Sequence, residues 1–424
     1  MKRAGRIWRW LLLALLVMTG IICLGGCGQD RSMTEDGRVR LSYAIWDKNQ
    51  QPAMQAIVDE FEAENPDIKV DIQIIPWNQY WTKLEAGAMS ETMPDVFWMH
   101  PQSFVRYASN DILLDLTGQL GDDYDPANYP QGLSDFYTYD GHQYAVPKDY
   151  DTVALWYNKK LFDAKGIPYP DETWDWAKLV EVAQQLTDAD NGIYGFLAPP
   201  DQQALYYDFV YQNGGEILNA DKTKSGYREP ATQEAIQFAV DLSQKYHVSP
   251  TVQQFADMSR EQYFQSGRAA MAFFGSWMLA DFKKNDYLVA NCDIAPLPRG
   301  RKRATIYSGL GNAASAQTKH PAEARRFLAF LGSRKAMELQ AQAVIPAYKG
   351  TEQEWLAAND MFHASVYTDG LDYAVIFPNS ATREKWMLVE TEILSKAWSG
   401  AMTVPQACAK LADRVDDYLA TERE

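Results

Sequence analysis

Residues 39–99 alternate between two apolar periods, and this alternation restricts the fold more than any other feature of the chain. Residues 39–46 read as a strand that ends at Trp46, with Asp47 just beyond it. Met54, Ile57, Val58 and Phe61 then recur at helical spacing. That helix must stop near Asn65-Pro66, because a proline ring disfavours helix in the residue before it. Val70, Ile72 and Ile74 alternate as a second strand, a helix is expected over 80–89, and 95–99 form a short apolar strand. Strand–helix–strand–helix–strand is the pattern of a parallel α/β sheet. Such sheets hold ligands at the carboxyl ends of their strands. Trp46, Asp47 and His100 lie at such ends.

A second α/β unit follows. Strand-like 144–146 and 153–157 flank the turn-like run Pro147-Lys148-Asp149-Tyr150-Asp151. Helices are expected over 173–186, 232–246, 259–266 and 277–284, with strands over 269–274 and 293–295. Residues 304–312 look like one strand that ends in glycines. The helix after it carries Pro321 in its first turn, where proline is welcome, and an apolar face of Ala324, Phe327, Leu328 and Leu331. The last hundred residues read as helical, above all 381–399 and 403–419. A chain of 424 residues is long enough for two or three domains at about 100–200 residues each.

Several classes of function find no support. Acids outnumber bases 56 to 40, and only residues 299–303 cluster positive charge, so no concentrated basic face exists for nucleic acid. Cys23, Cys27, Cys292 and Cys408 show no CxxC pair, and the five histidines stand at no metal-ligand spacing. Cys292 and Cys408 are compatible with a disulfide or with two buried thiols. Gly309-Leu310-Gly311-Asn312-Ala313-Ala314 matches G-x-G-x-x-A, but the helix begins too late for a dinucleotide site, and a glycine-rich bend is expected. Residues 188–192 lack the closing glutamate of a calcium loop. No G-x-S-x-G, H-E-x-x-H or Walker sequence occurs. No catalytic residue, metal or cofactor is therefore expected.

The N-terminus carries an address. Lys2, Arg3, Arg6 and Arg9 precede an apolar stretch over 10–24, short for a membrane span and suited to a signal peptide. It ends in Leu24-Gly25-Gly26-Cys27, which resembles the lipobox of bacterial lipoproteins. That resemblance implies lipidation at Cys27 and cleavage just before it. Residues 1–27 are thus expected to be a lipoprotein signal and 28–38 a flexible tether.

Several segments together resemble the extracellular solute-binding proteins of bacterial sugar ABC transporters, the maltose-binding type. They include 61–70 (FEAENPDIKV), Met93-Pro94-Asp95-Val96, Tyr144-Ala145-Val146-Pro147, 156–162 (WYNKKLF), 264–271 (FQSGRAAM), Gly275-Ser276-Trp277 and Ala295-Pro296-Leu297-Pro298. Their order holds over about 39–420. The resemblance implies an α/β, two-lobe periplasmic-binding-protein-like (type II) fold with a hinge and an interlobe ligand cleft. Lobe 1 would comprise 39–147 plus 310–349, and lobe 2 would comprise 150–307 plus 352–424. The three crossings would fall near 147–150, 308–311 and 348–351.

It also implies a binding role for particular residues. Trp277 corresponds to a sugar-stacking aromatic, and Asp151 to a ligand carboxylate. Trp46 and Asp47 follow the first strand, as contact residues do in the family. Trp98 and His100 follow the Pro94-Asp95-Val96 segment, while Arg383 and Trp386 lie near a late stacking tryptophan. The chemistry agrees, since a pyranose offers C–H faces to aromatic rings and hydroxyls to charged or amide groups. The expected protein is a monomeric, lipid-anchored receptor on the outer face of a bacterial, Gram-positive-type membrane. It hands a mono- or oligosaccharide to permease subunits of an ABC importer. Alternative readings are a secreted glycoside hydrolase or lyase, a receptor for a non-sugar solute, and a sensor subunit.

Overall fold

The computed structural model describes residues 32–121, 124–130 and 132–422. The expected signal at 1–27, with Cys27, and tether residues 28–31 lie outside the described residues. No helix among the described residues is long and apolar enough to cross a membrane.

The chain begins as its apolar pattern dictates: β1 (Val39–Ile45), α1 (Gln51–Glu64), β2 (Ile68–Ile74), α2 (Trp77–Ser90), β3 (Val96–Met99) and α3 (Pro101–Ala108). Then follow β4 (Ala145–Pro147), β5 (Val153–Asn158), α4 (Trp176–Leu186), α5 (Pro230–Gln244), β6 (Met271–Gly275) and β7 (Cys292–Ala295). The remainder includes β8 (Thr305–Tyr307), β9 (Gly311–Ala314), α6 (Pro321–Leu331), β10 (Ala374–Ile376), α7 (Arg383–Trp398) and α8 (Val404–Thr421).

The first lobe is built on a sheet of order β2-β1-β3-β9-β4. β1 runs parallel to β2, in register from Val39 against Ile68 to Ile45 against Ile74, and parallel to β3. Helical crossovers require this direction. α1 buries the four residues its spacing singled out, Met54, Ile57, Val58 and Phe61. Each such side chain contributes about 1.5–3 kcal/mol on leaving water. Phe61 packs on Phe327 of α6, with ring centroids 4.9 Å apart. α6 buries Ala324, Phe327, Leu328 and Leu331, the apolar face read from the sequence.

The second lobe centres on the sheet β6-β5-β7, in which β5 is antiparallel to both neighbours. Every residue of β5 is buried. Val153, Leu155 and Tyr157 enter one apolar cluster, while Ala154 and Trp156 enter the other. Period-two alternation thus feeds cores on both faces of the sheet. α8 starts at a capping box of Thr403 and Gln406.

Two expectations need correction. The first sheet is not wholly parallel, because β9 pairs antiparallel with both β3 and β4. Residues 304–312 are also not one strand. β8 pairs with β10, whereas β9 belongs to the first sheet. Local periodicity records extended backbone but not the partner it joins. Cys292 and Cys408 are both free and buried, in separate clusters.

The split within 304–312 marks where the chain passes between lobes, and three segments run side by side there. Lys148 N donates to Leu310 O at 2.7 Å, and Asp151 N to Ser308 O at 2.8 Å. From the other side Ala347 N donates to Lys148 O at 3.1 Å and Tyr150 N to Ile345 O at 3.1 Å. Gly309 fits because a Cβ there would lie 2.3 Å from Asp149 O. The Lys148 ammonium is wholly buried. It donates to Gln50 Oε1 at 2.8 Å and to Asp149 Oδ2 at 2.6 Å, and it lies 4.4 Å from the Trp98 ring centroid. Removing one partner of a buried ion pair strands the other. Lys148→Met is therefore expected to cost about 3–5 kcal/mol, read as a lower urea midpoint, whereas an unchanged midpoint would deny this pair a structural role.

Candidate functional site

A cleft of about 690 Å³ opens between the lobes, floored by the crossing segments Asp149, Tyr150, Asp151 and Leu310. Its first wall is made by residues directly after the three parallel strands. Trp46, Asp47, Asn49 and Gln50 follow β1, Trp77 opens α2 after β2, and His100 caps α3 after β3. The parallel sheet thus aims three loops at one place. Trp46 is half-buried and held edge-on by Trp77, Tyr80 and Trp98, at centroid distances of 5.1, 4.9 and 5.0 Å. Trp77 is 44% exposed, an unusual state for a tryptophan outside a binding surface. His100 Nδ1 accepts from Gln102 N at 3.2 Å. Burial, with the charge of Arg383 behind it, lowers its pKa to about 3. The imidazole is therefore neutral, and its other nitrogen carries the proton.

The opposite wall comes from the second lobe. Trp277 sits in the one-turn 3₁₀ segment Ser276–Met278 directly after β6. Asp201, Gln203, Arg260, Glu261 and Asp281 line the cleft with it. Arg260 is already committed, with Asp201 and Glu261 each 3.2 Å away. Asp151 projects from the floor and accepts from Gln203 Nε2 at 2.6 Å. Burial, reinforced by the neighbouring Asp149 charge, raises its carboxyl well above the usual range, against the effect of the Gln203 hydrogen bond.

Six carboxylates line this cleft: Asp47, Asp149, Asp151, Asp201, Glu261 and Asp281. The lining cation, Arg260, is bound to two of them. Aromatic faces from both lobes, acceptor-rich side chains and no uncommitted cation among the described lining residues suit a ligand with apolar C–H faces and many hydroxyl donors. They do not suit an anion.

The structure brings Trp46, Asp47, His100, Asp151 and Trp277 to this one cleft. It places three other expected contact residues elsewhere. Trp98 has no exposed surface, because both faces of β3 are covered, and its Nε1 donates to Tyr43 Oη at 2.7 Å. Arg383 and Trp386 are equally buried in the second lobe. The Arg383 guanidinium lies 3.9 Å from the Trp386 ring centroid and pairs with buried Glu390 at 3.2 Å. Glu390 also accepts from Tyr207 at 2.9 Å and from Tyr227. This network consumes Arg383 internally. Sequence reading missed Trp77, although it applied the strand-end rule to β1 and β3. It also missed Gln203 and Arg260, which no local pattern marks.

The sequence matches the family described as "Bacterial extracellular solute-binding protein" over residues 47–338. It is 25% identical over 347 residues to the multiple sugar-binding protein of Streptococcus mutans, covering 77% of this chain and 79% of that one. It is 25% identical over 318 residues to the maltodextrin-binding protein of Bacillus subtilis, covering 73% of each. Among solved structures, an ABC substrate-binding protein from Listeria monocytogenes in complex with cycloalternan superposes with a TM-score of 0.84 at 27% identity, over 90% of this chain and 99% of that one.

Asp151 gives a test with a defined sign. Its folded pKa is raised, so its contribution to stability is fully present below the unfolded value near pH 4 and is lost as pH rises toward the folded value. Asp151→Asn is expected to melt a few degrees above the native chain at pH 7, with no such gain at pH 3.5. A variant that melts lower at pH 7 contradicts this.

Proposed function

Because the chain belongs to the bacterial extracellular solute-binding protein family, we propose that its interlobe cleft is the capture site of a sugar-binding receptor for an ABC importer. The observation that carries this reading is the pairing of aromatic faces with carboxylates in one cleft. Trp46 and Trp77 come from one lobe and Trp277 from the other, with Asp47 and Asp151 between them. Aromatic rings cover the C–H faces of a sugar, and a carboxylate accepts two hydroxyl donors in charge-assisted hydrogen bonds. Contacts from both lobes make the closed arrangement bind best, so ligand populates it. The protein captures and releases its ligand unchanged.

Within this reading lobe 1 comprises 39–147 plus 310–349, and lobe 2 comprises 150–307 plus 352–424. The membership of β1–β4 and β9 in one sheet and of β5–β7 in another supports that division. Residues 1–27 act as a lipoprotein signal, Cys27 takes the lipid, and the segment from 28, whose residues 32–38 fold back on β1 through Met33 against Val39, tethers a monomer to the outer face of a Gram-positive-type membrane. The polar composition of 28–38 and the small residues before Cys27 support this. Two acyl chains suffice for stable attachment, where one is marginal.

The test uses the chain from Gly28 onward, with tryptophan fluorescence and melting temperature followed against neutral and acidic oligosaccharides. A neutral oligosaccharide is expected to give a saturable shift and to be recovered intact. Uronate oligomers are expected to give none, since Asp47 and Asp281 line the cleft without a paired cation among the described residues and the lining Arg260 is held by Asp201 and Glu261. Trp277→Ala is expected to weaken the neutral ligand about 10- to 100-fold, as loss of an aromatic anchor does. Recovery of a cleaved sugar, or tight binding of the uronates, would overturn the reading.

A further inference from the structure

We propose that Gly275 is a positioning residue, whose missing side chain makes the seat in which the Trp277 ring lies. The inference rests on the proposed role of Trp277 in sugar capture. An ideal Cβ on Gly275 would fall 1.8 Å from Cζ3, 2.2 Å from Cη2 and 2.3 Å from Cε3 of Trp277. The six-membered part of the indole therefore occupies the space that any other side chain at 275 would fill.

Backbone conformation gives no competing reason for a glycine here. Gly275 has φ −80° and ψ 160°, in the extended region that every residue adopts without strain. It is the last residue of β6, directly opposite Val153 of β5. The next residue is tied down as well, since Ser276 N donates to Thr152 O at 3.1 Å. The strand end is thus fixed against the floor of the cleft, and the ring folds back over it. Trp277 remains half-buried and lines the cleft.

Two consequences follow from this arrangement. A methyl group at 275 must turn the indole out of its seat, because the backbone could move aside only by breaking its pairing with β5 and the bond from Ser276 N to Thr152 O. The fold itself tolerates alanine at this φ and ψ. The effect of the substitution should therefore pass through Trp277 rather than through the sheet.

A double-mutant cycle tests this on the chain from Gly28 onward, with a neutral oligosaccharide that shifts the native melting temperature. Gly275→Ala is expected to weaken binding at least tenfold in the native background, and less than twofold in the Trp277→Ala background. A native affinity for Gly275→Ala, or an equal loss in both backgrounds, would overturn the proposal. If Gly275→Ala alone fails to fold, the double variant should melt with Trp277→Ala alone, because removing the ring makes room for the methyl; a double variant that also fails to fold overturns it. A ligand-independent readout separates this proposal from the sugar reading. The emission lost on Trp277→Ala should differ in wavelength or quenching between the native chain and the Gly275→Ala variant even if no sugar binds, and identical emission would overturn the seat.

Discussion

One buried ammonium anchors the hinge to the first lobe. Lys148 opens the first crossing segment, bonded to Gln50 in the loop after β1, to Asp149 beside it, and packed on the Trp98 ring of β3. Its backbone pairs with Leu310 on one side and Ala347 on the other, and Gln340 also bonds its carbonyl. A charge removed from water needs every one of these partners, so the geometry of the crossing segments is closely constrained. The cleft floor inherits that constraint, because Asp149, Tyr150 and Asp151 continue the same crossing segment. Trp98 lies beneath the same group, and because both faces of β3 are covered it supports the cleft wall instead of facing a ligand.

Above that floor the two walls are made differently. In the first lobe, three parallel strands deliver Trp46, Trp77 and His100 from successive carboxyl ends, and the edge-on packing of Trp46 on its neighbours fixes the ring. In the second, the key aromatic follows an antiparallel strand and lies over Gly275. In the proposed capture, lobe closure would bring the first aromatic wall toward the second across the lining carboxylates. The burial that raises the Asp151 pKa would also strengthen a hydrogen bond to a hydroxyl in the proposed site.

Much of the fold was legible because local patterns dictated it. The buried faces of α1 and α6 contain the very residues that helical spacing selected. The family resemblance added the two-lobe arrangement and five residues that share the cleft: Trp46, Asp47, His100, Asp151 and Trp277. What escaped was non-local. Residues 304–312 looked like one strand because extended backbone does not reveal that β8 and β9 join different sheets. The resemblance put Arg383 near a stacking tryptophan, and nothing local marks its buried partner Glu390, seven residues on. Trp386 followed it into the core. Trp77 was within reach, since it stands one residue beyond Pro76 at the end of β2.

The central claim is that this interlobe cleft, and these tryptophans, receive a saccharide. Fluorine NMR of the chain labelled with 5-fluorotryptophan tests it most directly, with resonances assigned by single Trp→Phe variants during titration with a neutral oligosaccharide. Large shifts are expected for Trp46, Trp77 and Trp277, and small ones for buried Trp98 and Trp386. Saturable binding that leaves the three cleft resonances in place would contradict it.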